Sequence, residues 1–134
     1  MLLTRASEYA LLALILLAKE NDPIGVDKLS EKLDISKSFL AKVLQNLAKI
    51  GLLHSYKGVK GGFSLAKDAQ SITLLSIFEA SEGRAPAVFD CAPSKENCPS
   101  DKASICQIWP VLNNLQVKID DFLEELTLAD IMKR

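Results

Sequence analysis

Three cysteines lie together in one polar stretch of the chain, DCAPSKENCPSDKASIC, at residues 90–106. They are Cys91, Cys98 and Cys106, separated by six and then seven residues, and the chain has no others. Thiolates are soft ligands that suit zinc or an iron–sulfur cluster, and an accessible thiolate is also a redox group. An odd number of cysteines argues against a disulfide framework. The stretch therefore indicates a metal, a cluster or a reactive thiol.

The composition limits where these thiols can work. The chain has 134 residues, 49% of them apolar, which is enough for one domain with a real core. No basic leader with an apolar run and a cleavage site opens the sequence, so we expect a cytoplasmic protein with reduced thiols. The longest apolar run, residues 9–18, is too short to cross a bilayer and predicts a core helix, with no membrane partner.

Charge is distributed unevenly along the chain. Residues 36–67 contain six lysines and no Asp or Glu, whereas residues 68–134 contain eleven acids and six bases. The net charge of −1 therefore hides a basic middle and an acidic C-terminal half. A lysine run can be an ordinary solvated face, so its meaning depends on the elements that present it.

The elements around the lysines predict a DNA-binding unit. Helices are predicted at 7–19, 26–33, 37–50, 71–81 and 108–126, with Ser36 as the N-cap and Gly51 as the C-cap of the third. The helices at 26–33 and 37–50 are joined by a tight turn, and the second has a polar face; this pattern is typical of a helix-turn-helix. An ordinary helical hairpin is the alternative.

A β-hairpin is predicted directly after this helix pair, with strands at 53–57 and 63–65 joined by the glycine-rich GVKGG. A basic hairpin at this place is typical of a wing that contacts the DNA backbone or minor groove. The predicted DNA-binding residues are Ser36, Lys37, Ser38, Ala41, Lys42 and Gln45 on the helix, and Lys57, Gly58, Lys60, Gly61 and Gly62 on the wing. The glycine-rich turn does not open a helix and lacks a Gly-Lys-Ser/Thr ending, which argues against a nucleotide site.

The last predicted helix has an apolar seam with alternating spacings of four and three residues. The seam consists of Ile108, Leu112, Leu115, Ile119, Phe122 and Leu126. Such a heptad pattern predicts a dimer helix, and two-fold dimers read paired half-sites. An amphipathic helix folded onto its own core is the alternative. Pro110 is compatible only with the first turn of this helix.

The segments LTRASEYALLAL, VDKLSEKLDISKSFLAKVLQNLAKIGLLHSYKGVKGGFSLAKD, ITLLSIFEA and TLADIM together resemble the Rrf-two family of bacterial winged-helix regulators. The resemblance covers almost the whole chain. It implies a homodimeric transcription factor, often a repressor. It also implies that the three cysteines hold an iron–sulfur cluster in the segment between the wing unit and the dimer helix. The cysteine spacing is slightly wider than in the cluster-binding relatives, and Lys57 stands where relatives often have Arg.

The resemblance also bears on a fourth cluster ligand. IscR-like members have a His three residues after the last cysteine, but Trp109 stands there and cannot ligate iron. NsrR-like members use an acidic residue at the start of the first helix, donated by the partner subunit, and the matching residue is Glu8. An ordinary surface carboxylate is the alternative for Glu8. Asp90 is a further candidate, and the single histidine, His54, is expected to be a wing surface residue.

These observations predict a mostly α fold with a small β-hairpin wing, that is, a winged helix-turn-helix followed by a long dimerisation helix. The expected parts are a DNA-binding unit at 1–83, a cysteine segment at 84–107, and the dimer helix and tail at 108–134. The expected function is a dimeric regulator that binds a palindromic operator and senses iron–sulfur, redox or nitric-oxide status. The three cysteines are expected to ligate a cluster, because the polar segment gains nothing from burying thiols as packing groups. A two-iron cluster is favoured over a four-iron one. Zinc or a reversible thiol switch on the same fold is the alternative, and a thiol enzyme is a remote one.

Overall fold

The computed structural model describes residues 3–133, and the predicted limits at residues 1, 2 and 134 lie outside this range. The described chain contains α1 (Arg5–Ala18), α2 (Val26–Leu33), α3 (Lys37–Ile50), β1 (Leu53–Tyr56), β2 (Gly62–Leu65), α4 (Leu74–Glu82), α5 (Trp109–Glu125) and α6 (Leu128–Met132). Short 3-10 turns precede α4 at Ala69–Ser71 and interrupt the cysteine segment at Lys95–Asn97. The predicted fold class is confirmed.

Helix α1 packs against α3 and α4 and buries one of its faces. Its N-cap is Thr4, whose hydroxyl accepts a hydrogen bond from the Ser7 backbone N–H at 3.3 Å. The Ser7 hydroxyl is buried and lies 3.2 Å from that of Ser81 on α4, which fixes the start of α1 against the end of α4. Because Leu12 on the opposite face is exposed, the expectation that α1 is enclosed in the core holds for one face only.

The helix-turn-helix has the predicted boundaries. Helix α2 ends at Asp34 in the left-handed conformation, and the buried Ile35 anchors the turn. Helix α3 ends at Gly51, whose φ of +94° favours glycine. Ser36 occupies the N-cap position, but its side chain makes no capping hydrogen bond and its hydroxyl lies 3.2 Å from that of Ser38. The predicted N-cap position of Ser36 is therefore confirmed, without a side-chain capping bond.

The wing is a two-stranded antiparallel hairpin in which Leu53 pairs with Leu65 and Tyr56 with Gly62. The backbone of Ile24 pairs with Phe63 on the other edge of β2, through N–H···O contacts of 3.0 and 2.9 Å. Gly62 has a φ of +142°, and a Cβ there would lie 2.4 Å from the Ile24 carbonyl carbon. Glycine at this position therefore lets the wing pack against the segment before α2.

The C-terminal segment is part of the core. The Thr127 hydroxyl and the Asp130 carboxylate form a reciprocal capping box at the start of α6. Leu128 is fully buried, and its N–H donates to the Ile72 carbonyl at 2.8 Å. Helix α4 begins at Leu74, later than predicted, because Ala69–Ser71 forms a 3-10 turn instead. Within residues 3–133, no helix has the length and apolar character needed to span a bilayer.

Candidate nucleic-acid interface and cysteine segment

Helix α3 presents the predicted polar face to solvent. Leu40, Val43, Leu44 and Leu47 are buried on one side, which leaves the other side outward. Ser36, Lys37, Ser38, Lys42 and Gln45 are exposed, and Ala41 is half-buried between them. An exposed polar helix of this kind can enter a major groove and reach base edges or phosphates. No acidic residue lies in its first turn, so the positive end of the helix dipole is not neutralised there.

The wing places its basic residues outward. Lys57, Gly58 and Lys60 are exposed, while Gly61 and Gly62 are half-buried at the base of the turn. The close approach of the Ile24 backbone explains why residue 62 is a glycine, which the sequence alone did not reveal. His54 is exposed on β1, with its ring centroid 6.3 Å from that of Tyr56, as expected for a surface residue.

An open cavity of about 580 Å³ lies between the start of α1 and the start of α3. Its lining consists of Arg5, Tyr9, Ser36, Ser38, Phe39 and Lys42. The sequence analysis assigned neither Arg5 nor Tyr9 to this surface. Phe39, Val43 and the other apolar residues of α3 recur at spacings of three and four residues, a pattern that predicts a buried Phe39. Phe39 is instead exposed and meets the Tyr9 ring edge-on at a centroid distance of 5.4 Å. The four-residue spacing of Arg5 and Tyr9 is the sequence signal that could have paired them.

The cysteine segment, residues 84–107, contains three unpaired thiols in different environments. Cys91 is only 4% exposed and lies beside the buried Ala92, whereas Cys98 and Cys106 are half-buried. The sulfur of Cys98 accepts the Lys102 backbone N–H at 3.3 Å. The expectation that no thiol here is buried as a packing group is therefore wrong for Cys91.

Side chains of α5 hold the first half of this segment by its backbone. Trp109 Nε1 donates to the Cys91 carbonyl at 2.7 Å, and Asn113 Nδ2 donates to the Ala92 carbonyl at 2.8 Å. The buried Gln116 accepts the Val88 N–H through Oε1 at 2.9 Å. Its Nε2 donates to the carbonyl oxygen of Pro86 at 2.9 Å and to the Asp120 carboxylate at 2.8 Å. Trp109 thus has a structural role at the position where a ligand was considered and excluded.

The described residues do not bring the predicted ligands together. No three His, Cys, Asp or Glu side chains between residues 3 and 133 are grouped so that they could hold a metal ion. Asp90 and Glu8 are both exposed. The donor set is suitable by chemistry, because three thiols in one segment are ligands that iron–sulfur clusters and zinc accept. Within the described residues of one chain, however, these thiols do not form a complete metal site.

Two apolar surfaces remain exposed. On α5, the residues Ile108, Val111, Leu115 and Phe122, here called the α5 stripe, are 66%, 69%, 47% and 59% exposed. The other predicted seam residues, Leu112, Ile119 and Leu126, are half-buried, and the last two pack against the chain's own core. The α1 groove, lined by Leu3, Thr4, Arg5, Glu8, Leu11, Leu12, Ile15 and Ile131, is a second apolar surface, with a volume of about 570 Å³.

Comparison with known proteins identifies relatives along the whole chain. The family model described as Rrf2, iron-dependent transcriptional regulator, matches residues 3–134. The HTH-type transcriptional regulator IscR of Vibrio campbellii is 31% identical over 135 residues, which cover 99% of this chain and 78% of the relative. The match to one family model and to a relative of this identity extends through both the wing and the cysteine segment.

Solved structures share the fold. The structure of T. potens IscR matches with a TM-score of 0.74 at 23% identity, and covers 98% of this chain and 85% of that one. The oxidized form of Staphylococcus aureus CymR matches with a TM-score of 0.69 at 24% identity, covering 98% and 95%. At these identities the likeness establishes the architecture.

The contacts of Gln116 lead to a prediction about the cysteine segment. Gln116→Leu keeps the side-chain size but leaves the Val88 N–H and the Pro86 carbonyl without their partner. We expect the free energy of unfolding to fall by about 1–3 kcal/mol, because buried polar groups lose their hydrogen bonds. We also expect faster amide exchange at residues 86–92, measured by hydrogen–deuterium exchange. Asn114→Leu, at an exposed site on the same helix, is the control. Equal exchange in both variants would contradict the role of Gln116.

Proposed function

The chain belongs to the Rrf2 family of DNA-binding transcriptional regulators, and on that premise we propose that it is a cytoplasmic homodimer whose cysteine segment binds an iron–sulfur cluster. It is a regulator and not an enzyme. The observation that supports the proposal most strongly is that residues 36–67, which include α3 and the wing, contain six lysines and no acids, and that every cysteine of the chain follows in one segment. By the family resemblance, we propose that it represses genes next to a palindromic operator.

The proposed DNA contacts divide into two groups. Ser38 and Gln45 are exposed on α3, where short polar side chains can hydrogen-bond to base edges in the major groove. Lys57 and Lys60 extend from the wing, where charge attracts the phosphate backbone without regard to sequence. Lys37 lies 2.5 Å from the Asp27 carboxylate, so we propose a weaker contribution from its charge. The wing lysines should therefore set affinity, and the α3 polar side chains should set specificity.

We propose that a second copy of the chain covers the α5 stripe. A stripe of four exposed apolar side chains on one helix is unusual for a monomer and is typical of an interface. The α1 groove offers a complementary apolar surface on the same chain, so two copies related by a two-fold axis could each supply one stripe and one groove. In such a dimer Glu8, which lines the groove, would lie close to residues of the partner.

Cys91, Cys98 and Cys106 are the residues that we propose hold a cluster, more readily a two-iron than a four-iron one, with Glu8 of the partner as the fourth ligand. When bound, the cluster would supply a centre that reacts with small oxidants and nitric oxide. The chain's own residues would link that centre to DNA binding. Trp109 and Asn113 hold the backbone at Cys91 and Ala92, so a change in this part of the segment acts directly on α5.

A second candidate function keeps the DNA binding and replaces the cluster with zinc or a reversible thiol switch. Within this candidate, the separation of the three thiols favours the thiol switch over zinc, because no three ligands among residues 3–133 are grouped around a common centre. The different environments of buried Cys91 and half-buried Cys98 would also give the two thiols different reactivity. Staphylococcus aureus CymR, which shares the fold, has been solved in an oxidized form.

DNA affinity should depend steeply on salt. If three or four lysines of each subunit contact phosphates, the slope of log K against log salt should be roughly −5 to −7, measured by fluorescence anisotropy. Lys57→Ala and Lys60→Ala should weaken binding to every duplex by a similar factor, whereas Ser38→Ala and Gln45→Ala should reduce the ratio between operator and unrelated DNA. Lys133→Ala, at an exposed site at the C-terminal end, is the control. A salt-independent affinity would exclude the basic surface from DNA binding.

Dimerisation should depend on the α5 stripe. Leu115→Asp places an unpaired charge in the proposed interface, and we expect it to weaken association by about 3–5 kcal/mol. Val117→Asp is the matched control, because Val117 is 49% exposed and lies about 160° around the helix from Leu115. Sedimentation equilibrium should show a dimer for the wild type and the control, and a monomer for Leu115→Asp. A wild-type monomer at micromolar concentration would refute the proposed dimer.

Anaerobic purification, a visible absorption spectrum, and iron and sulfide assays test the cluster. We expect a brown protein, and a helical, colourless dimer after each of Cys91→Ala, Cys98→Ala and Cys106→Ala. Ser100→Ala, in the same segment, should keep the colour. Glu8→Ala should lose its colour faster in air than Glu79→Ala, which removes an exposed carboxylate of α4.

Two results would decide against a cluster held by all three thiolates. Full colour in Cys98→Ala would exclude ligation by three thiolates. A colourless wild type with one zinc per subunit, or with DNA binding that a thiol reductant reverses, would establish the second candidate instead.

A further inference from the structure

The cavity between the starts of α1 and α3 is lined by several hydrogen-bond donors. Two of them, Arg5 and Tyr9, do not belong to the predicted DNA-binding residues of α3 and the wing. Arg5 and Lys42 provide two cations, and Tyr9, Ser36 and Ser38 provide three hydroxyl groups. No Asp or Glu lines it. Of the nearby acids, Asp27 pairs with Lys37. The carboxylate of Glu8 interacts electrostatically with Arg5, but Glu8 lines the α1 groove and not this cavity. The cavity therefore favours an anion with several acceptor oxygens.

The groups in this cavity are held by the fold. Arg5 Nη1 lies 3.5 Å from the Tyr9 hydroxyl, one turn further along α1. The Tyr9 ring packs edge-on against Phe39 of α3, with an interplanar angle of 85°. Arg5 is thereby connected to the helix that carries Lys42. The Ser36 hydroxyl makes no capping bond, so it and Ser38 remain able to donate to a ligand.

The cavity opens beside the DNA-facing side of α3. Lys42 belongs both to its lining and to the exposed polar face of α3, so a duplex seated on α3 passes the mouth of the cavity. A backbone phosphate is the anion that a duplex seated on α3 would bring to this place. A guanidinium group also forms paired hydrogen bonds with phosphate oxygens, which an ammonium group does not.

We propose that this cavity receives one phosphate of the DNA backbone, bound by Arg5 and Lys42 with the hydroxyls of Tyr9, Ser36 and Ser38. The proposal rests on the proposed DNA-binding function and adds the start of α1 to α3 and the wing as a third contacting element. It also assigns Lys42 to affinity and not to base recognition. A contact of this kind fixes the register of α3 on the duplex without reading its sequence.

The first test compares Arg5→Ala, Arg5→Lys and the wild type on duplex DNA at several salt concentrations. Removing one phosphate contact from each subunit should make the slope of log K against log salt less negative by about 2. We expect Arg5→Ala to bind operator and unrelated DNA more weakly by the same factor, about tenfold or more, and Arg5→Lys to recover the slope. Lys19→Ala is the control, because it removes an exposed charge at the other end of α1. Circular dichroism checks that the variants are folded.

The second test locates the phosphate. Duplexes in which single phosphates are replaced by neutral methylphosphonates are bound to the wild type and to Arg5→Ala. At one position in each half-site, neutralisation should weaken the wild type much more than Arg5→Ala, because Lys42 is the only cation left at that phosphate in the variant. Equal sensitivity of both proteins at every position would overturn the proposal, as would a loss in Arg5→Ala that is confined to one DNA sequence.

Inorganic phosphate separates a DNA phosphate from a free anion. If it binds the wild type but not Arg5→Ala, and does not compete with DNA at constant ionic strength, the cavity is a free-anion site and the proposal is overturned. If Lys57→Ala weakens DNA binding and Arg5→Ala does not, only the cavity proposal fails. A wild type without salt-dependent DNA binding would overturn both this proposal and the proposed function.

Discussion

Burial of one face of α1 is the constraint on which the functional surfaces depend. Leu14 and neighbouring small residues pack against α3 and α4, which fixes the rotation of α1 about its own axis. Because that rotation is fixed, Glu8 and Leu12 must lie on the α1 groove, and Arg5 must lie next to the start of α3. The hydrogen bond between Ser7 and Ser81 sets the same geometry at the N-terminal end. One packing interaction thus positions both the cavity beside α3 and the apolar groove.

The cysteine segment depends on a different kind of interaction. Few of its side chains are buried, among them Cys91 and Ala92, and hydrogen bonds from α5 hold the backbone of these two residues. Gln116 is buried and uses both ends of its amide, which makes the connection costly to break. The second half of the segment has no comparable contacts with α5 among the hydrogen bonds of the described residues. A ligand at the thiols would therefore act on α5 through Cys91 more directly than through Cys106.

Prediction from the sequence succeeded where local chemistry decides the outcome. Helices α2 and α3 have the predicted limits because a left-handed turn residue and Gly51 end them. The wing was predictable from its glycines, and the placement of Pro110 in the first turn of α5 followed from its missing N–H. The α5 seam was predicted only in part, because spacing identifies apolar positions but not which neighbour they meet. Ile119 and Leu126 pack on their own core, while Ile108, Leu115 and Phe122 remain exposed.

The sequence by itself determined the fold class, the basic run of residues, the family and the placement of all three thiols in one segment. Each of these depends on residue type and on spacing along the chain. Only the tertiary structure decided that Arg5 and Tyr9 share a cavity with Lys42, that Trp109 binds the Cys91 carbonyl, and that Leu128 belongs to the core. These contacts join residues that are distant along the chain. The physical reason is that hydrophobic burial is non-directional. A sequence pattern specifies which face of a helix is buried, whereas the packing of the whole chain decides which other element that face contacts.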